Sequence, residues 1–204
     1  MALALMGLHL AGVGGAGAAP GGEALIEEIE ATRALKDSLF RHGPESPLRP
    51  EVAAGFPGLR YFPVDPAWRI PGEFHRYGRV RRLPMPDSAG ATTVVQRLGR
   101  FLFEREGRSF RLEVYGSDQD PGLSVFFTDE TNGGQTYGAG RYAPVAADRN
   151  GTWVLDFNLA YNPFCAYNPE YICPLPPEEN RLPFAVRAGE LNPGPDPAVR
   201  DLAK

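Results

Sequence analysis

The chain has 204 residues, 43% of them apolar, which suits a single domain around one core. A formal net charge of −4 argues against a surface that tracks nucleic-acid phosphates. With 24 glycines and 21 prolines the composition favours short strands and tight turns over a helical bundle. After the first residues no apolar run is long enough to span a membrane.

Residues 1–19 are apolar, rich in small side chains and free of acidic groups, and Ala16-Gly17-Ala18 offers an A-x-A cleavage pattern. They read as a secretory signal, which places the mature chain in the periplasm or outside the cell. Against this, no Lys or Arg precedes the apolar part, and glycines interrupt it at positions 7, 12, 14 and 15. If the segment is only a tail, the protein is cytoplasmic.

The next segment, 23–43, carries the one good helix. Leu25, Ile29, Thr32, Leu35 and Leu39 recur at three- and four-residue steps, and Gly43-Pro44 ends the run. This stripe is expected to lie on a sheet. Between Ser46 and Arg69, prolines alternate with Phe56, Leu59, Tyr61, Phe62, Val64 and Trp68, so the chain should wrap the domain in extended pieces, with Leu59–Phe62 a strand. Further strands are expected at Val80–Leu83 and Thr92–Gln96. Arg100–Glu104 and Ser109–Tyr115 form the clearest hairpin, turning at Glu106-Gly107, with Phe101, Phe103, Phe110, Leu112 and Val114 on one face and charges on the other.

Leu123–Phe127 is a continuous apolar run and should be a strand buried on both sides. Asn132-Gly133 then marks a turn after the acidic Asp129-Glu130, a loop whose free backbone N–H groups could alternatively bind an anion. Gly138-Ala139-Gly140-Arg141 lacks the third glycine and the following helix of a dinucleotide fingerprint, which excludes a Rossmann site. Asn150-Gly151 turns the chain into a strand over Thr152–Phe157; Asn150-Gly151-Thr152 also matches a glycosylation acceptor.

The densest stretch runs from Trp153 to Glu190. Ala160-Tyr161-Asn162-Pro163 recurs as Ala166-Tyr167-Asn168-Pro169, and each proline pushes the preceding asparagine out of the helical region. Two successive turns should therefore present Tyr161 and Tyr167, ahead of a rigid Pro174–Pro177 segment and a strand over Leu182–Val186. Both cysteines lie here. Cys165 and Cys173 can form a disulfide, worth roughly 2.5 kcal/mol of lost unfolded-state freedom for so short a loop. The alternatives are two buried free thiols or half of a zinc shell, for which only His42 and His75 remain as histidines outside the N-terminal segment. Residues 191–204 read as a loose tail.

The motifs LDFNLAYNPFCAYNPEYICPLPPEENRLPFAVRAGE and FTDETNGGQTYGAGRY resemble those of the bacterial and archaeal family of unknown function called DUF1684, over roughly residues 48–190. The resemblance implies a mostly β domain and no particular activity. It also keeps the thiol and metal readings of the cysteine pair open.

We therefore expect a mainly β fold, one antiparallel barrel or sandwich of roughly seven to nine strands with an N-terminal amphipathic helix packed on it. Asp129, Asp156 and Glu190 each end an apolar run, where pockets form at a sheet rim. Arg141 and Arg181 can pair with them or clamp an anion. Tyr61, Tyr137, Tyr161 and Tyr167, with Asn158, Asn162 and Asn180, can line a site for a small polar ligand such as a sugar. The leading expectation is a non-catalytic exported module that binds such a ligand or an envelope protein, with no cofactor. The alternative is a hydrolase that uses Asp129 and Asp156 with Arg141 and Tyr137; Asp129, Arg141, Asp156 and Asn158 are expected to share one concavity, partly roofed by Tyr161 and Tyr167. Either role competes with ordinary strand-end capping and ion pairing.

Overall fold

The computed structural model describes residues 21–116 and 122–193. The expected signal segment at 1–19 and the tail beyond residue 193 lie outside the described residues. The fold is mainly β. Six strands, β1 (Arg69–Pro86), β2 (Thr92–Arg105), β3 (Arg108–Gly116), β4 (Ser124–Phe127), β5 (Arg141–Ala147) and β6 (Trp153–Asp156), pair antiparallel in chain order. β6 pairs back onto β1 and closes the ring. Among the described residues no helix is long and apolar enough to cross a membrane.

Six strands among the described residues are fewer than expected, for two physical reasons. Strands predicted as separate fuse across bulges. β1 passes through a register shift between Arg76 and Arg81 and absorbs Val80–Leu83, while β2 passes through one between Arg97 and Gly99 and absorbs both Thr92–Gln96 and Arg100–Glu104. Other predicted strands find no ladder. Leu59–Phe62 makes only the isolated bridge Tyr61 to Glu190, and Leu182–Val186 is interrupted by Pro183, leaving the bridge of Arg181 to Thr128. The β2–β3 hairpin turns where predicted, with positive φ at both Glu106 (52°) and Gly107 (71°), the geometry a two-residue type I′ turn requires.

Alternation along the strands sends Ile70, Phe101, Phe103, Leu112, Val114, Val125, Phe127, Ala143, Val145 and Leu155 into one core. Each large side chain fully buried there contributes about 1.5–3 kcal/mol over exposure. The other face of β4 is covered too: Phe126 stacks on Tyr115 and packs at a tilt on Tyr142, beside Met85 and Val95. The continuous apolar run of Leu123–Phe127 is thus buried on both sides, as its composition predicts.

Helix α1 (Gly22–His42) forms as expected but is rotated from the predicted stripe. Leu25, Ile29 and Phe40 are buried, whereas Leu35 is 41% exposed. Phe40 sets the rotation, packing on Phe56, Phe164 and Tyr167 in a satellite cluster with the short helix α2 (Pro50–Ala53). Between Ile29 and Phe40 the inward face carries Arg33 and Lys36, two cations that find acceptors beneath the helix.

Candidate functional site

Most of the polar residues singled out in the sequence fall into three buried networks. In the first, Arg141 at the start of β5 is fully buried and pairs with Asp129 at 2.9 Å. The same guanidinium donates to the carbonyls of Val186 (2.8 Å), Ala188 (2.5 Å) and Glu190 (3.2 Å). The second Asp129 oxygen accepts from the Thr131 amide and hydroxyl and from the Val186 amide. Burial pulls the Arg141 pKa below its ordinary value, opposed first by the Asp129 carboxylate. This pair is a clamp on the 186–190 backbone, and every oxygen of Asp129 is already engaged.

The second network lies at the end of β6. Asp156 pairs with Arg69 at 2.8 Å and accepts from the backbone and side-chain N–H groups of Asn158. Asn158 in turn closes a two-way bond with the backbone of Asp65. Asp156 and Asp129, expected to share one concavity with Arg141 and Asn158, therefore hold different arginines, each within its own hydrogen-bond network.

The third network gathers Asn162, Tyr167 and Glu190. One Glu190 oxygen accepts from Tyr167 Oη and from the Asn162 amide, both at 2.7 Å, and the other meets Lys36 Nζ of α1 at 2.5 Å. Lys36 also lies over the Tyr161 ring at 4.7 Å, and Arg33 over Tyr61 at 4.5 Å. Arg33 donates to the carbonyls of Phe62 and Asn158, joining this network to the second through the helix. The arrangement pins α1 to the paired Ala-Tyr-Asn-Pro turns.

The remaining candidates are dispersed. Asn180 is fully buried, bonding to both backbone groups of Glu113 and to the Phe126 carbonyl, so it mends the edge where β3 and β4 barely pair. Arg181 is exposed, its guanidinium 3.6 Å from Glu178. Tyr137 sits against the thiols, its hydroxyl 4.0 Å from Cys165 Sγ. The structure holds Cys165 and Cys173 as adjacent free thiols, not the expected bridge. Among the described residues no cluster of three or more His, Cys, Asp or Glu is placed to hold a metal, so the zinc reading finds no third ligand there.

An open cleft lies elsewhere, where β1 bulges away from β2. Tyr77, Gly78, Arg79, Val80, Arg81 and Arg97 line this cleft of about 750 Å³. A side chain on Gly78 would meet nothing within 4 Å, so the bulge leaves this mouth clear. Register sets Arg81 directly opposite Arg97, a like-charge cross-strand pair that repels. Arg97 Nε donates to Glu113 at 2.7 Å, and Tyr77 Oη donates to both oxygens of that buried carboxylate. Arg79 and Arg81, both exposed, make no ion pair among the described residues.

Burial pushes the Glu113 carboxyl up, but the hydrogen bonds from Arg97 and Tyr77 outweigh it and hold the pKa below its ordinary value. Its contribution to stability is therefore present above the unfolded carboxyl pKa and is lost as pH falls through the lowered folded one. The same hydrogen bond raises Arg97, so Arg97 and Glu113 stay a charged pair throughout the neutral range. These cleft arginines are absent from the sequence-based site. The run His75-Arg76-Tyr77-Gly78-Arg79-Val80-Arg81-Arg82 carries the missed sign, four arginines around one glycine inside a strand.

Comparison with known proteins agrees with this fold. The solution structure of an uncharacterized protein from gene locus rrnAC0354 of Haloarcula marismortui is 35% identical, with a TM-score of 0.66, covering 85% of this chain and 97% of that one. No curated protein matches. The family model described as a protein of unknown function, DUF1684, matches residues 54–191, which include β1–β6, the cleft and all three buried networks except the α1 cations. The chain belongs to the DUF1684 family.

Proposed function

We propose that this protein is a non-catalytic, exported binding module whose cleft at the β1 bulge takes a small anionic ligand, a carboxylate or a phosphate ester. One observation carries the reading: Arg81 faces Arg97 across the sheet at the mouth of an open cleft, with Arg79 beside them. Two carboxylates face Arg97, the buried Glu113, spent on Arg97 Nε and Tyr77, and the exposed Glu179, 3.9 Å from Arg97 Nη2, and neither is paired with Arg79 or Arg81. An anion bridging Arg79 and Arg81 would relieve the repulsion through paired N–H···O contacts, which the planar guanidinium suits better than any other side chain. Tyr77 offers a flat apolar wall for the body of the ligand. The hydrolase alternative draws no support from Asp129 and Asp156, because each carboxylate is engaged by its own arginine and its own loop.

Titration of the arginine side-chain N–H resonances with inorganic phosphate, pyrophosphate and citrate tests the site. Saturating shifts at Arg79 and Arg81, weakened by added salt, are the expected result. No saturation, or equal shifts at every exposed arginine, would count against a built site. Export is tested separately: native protein should begin near Ala19 outside the cytoplasm, and intact Met1 in the cytoplasmic fraction would remove that part of the proposal.

A further inference from the structure

The two cysteines form a cluster that neither the cleft nor the buried networks use. Both are free thiols, Cys165 half-buried and Cys173 buried at 7% exposure. Cys173 Sγ accepts from the Cys165 backbone N–H at 3.4 Å. Ser88, in the turn between β1 and β2, holds Cys173 from both sides, its amide donating to the Cys173 carbonyl at 2.9 Å and its hydroxyl accepting from the Cys173 amide at 3.1 Å. Tyr137 Oη reaches the Cys165 sulfur at 4.0 Å. Cys173 is thus fixed by backbone bonds to the sheet, while Cys165 stands in a short 3₁₀ turn, Phe164–Ala166, at the edge of solvent.

We propose that Cys165 and Cys173 are a reversible thiol–disulfide exchange site for low-molecular-weight disulfides, with Cys165 the entering nucleophile and Cys173 the resolving thiol. The Cys165 thiolate attacks one sulfur of a small disulfide RSSR, the S–S bond breaks, and RS⁻ leaves and takes a proton from water. Cys173 then loses its proton to solvent and attacks the Cys165 sulfur of the mixed disulfide, expelling the second RS⁻, which is protonated in turn. Two protein thiols are oxidised and one RSSR is reduced to two RSH.

The chemistry of the pair favours that order. A hydrogen bond from Cys173, with further ones from Ser88 and Tyr137, brings the Cys165 thiol down to about 7, whereas Cys173 is raised by the same bond and by burial. An attacking thiol works best with a pKa near ambient pH, and access decides which of two sulfurs is met first. The site is independent of the arginine cleft.

The test equilibrates the full chain in graded ratios of reduced to oxidised glutathione, with alkylation and peptide mapping of the products. Both thiols should disappear together into one bond between residues 165 and 173 within the chain, and return on reduction. In Cys173→Ser the mixed disulfide should accumulate on Cys165. In Cys165→Ser, glutathione should reach Cys173 at least about tenfold more slowly. In the unmutated chain the alkylation rate of Cys165 should rise with pH to half its maximum near 7, which keeps the assignment testable if a variant fails to fold. Thiols that persist at every ratio, cross-linked chains, or equal reactivity of the two cysteines would overturn the proposal.

Discussion

Arg141→Met should be among the most damaging single changes in this protein, lowering stability by about 3–5 kcal/mol, the usual cost of breaking a buried ion pair from one side. The guanidinium is fully buried and cannot be replaced by water, so Asp129 would keep a buried charge without its partner. Three carbonyls, those of Val186, Ala188 and Glu190, would lose a donor at the same time. In a chain of this size the midpoint of thermal unfolding should fall by roughly 6–20 °C. The double change Asp129→Leu with Arg141→Met removes the stranded charge and should recover part of the loss, but not that owed to the three carbonyls. Urea and thermal unfolding of the three chains decide it. A loss below about 1 kcal/mol for Arg141→Met would mean that the pair is not a clamp and would return both residues to candidacy as functional groups.

The second large effect is expected at Glu190. Glu190→Ala removes the acceptor shared by Tyr167, the Asn162 amide and Lys36, leaving two buried donors without partners. The expected cost is about 3 kcal/mol, and its distribution matters more than its size. The six-stranded ring does not depend on this carboxylate, whereas α1 is held through Lys36 and the turns beneath it. Amide hydrogen exchange should therefore accelerate in α1 and around residues 160–168 while the β2–β3 hairpin stays protected. Uniform acceleration would show one cooperative unit with no separable helix.

The outline of the fold was legible in the sequence wherever a pattern was local. The Glu106-Gly107 turn, the alternation of Phe101 and Phe103, the double burial of Leu123–Phe127 and the end of α1 all rest on neighbours in the chain. What was not legible depends on pairing at a distance. Nothing local says that β1 and β2 run through their bulges as long strands, whereas Pro183 within Leu182–Val186 is a local mark against a ladder there. The helix rotation was missed because a cation on the inner face reads as solvent-exposed until its acceptor is known, and Lys36 and Glu190 are 154 residues apart.

The same limit shaped the site. Asp129 and Asp156 do lie at or just beyond strand ends, whereas Glu190 follows no strand, and carboxylate type alone cannot say whether the cation nearby is a ligand clamp or a structural partner. Net charge hid the cleft, since a chain at −4 overall still concentrates Arg79, Arg81 and Arg97 at one bulge.

Calorimetric titration with pyrophosphate in low salt tests the central claim most directly, comparing the unmutated chain with Arg79→Ser/Arg81→Ser and with Arg108→Ser, an exposed arginine in the β2–β3 hairpin far along the sheet from the bulge. The account predicts saturable binding of one anion per chain, weakened at least about tenfold by the double change, as expected when two charge-assisted contacts are lost, and unaltered by Arg108→Ser. Equal affinity in all three proteins, or no saturable binding in any, would contradict it.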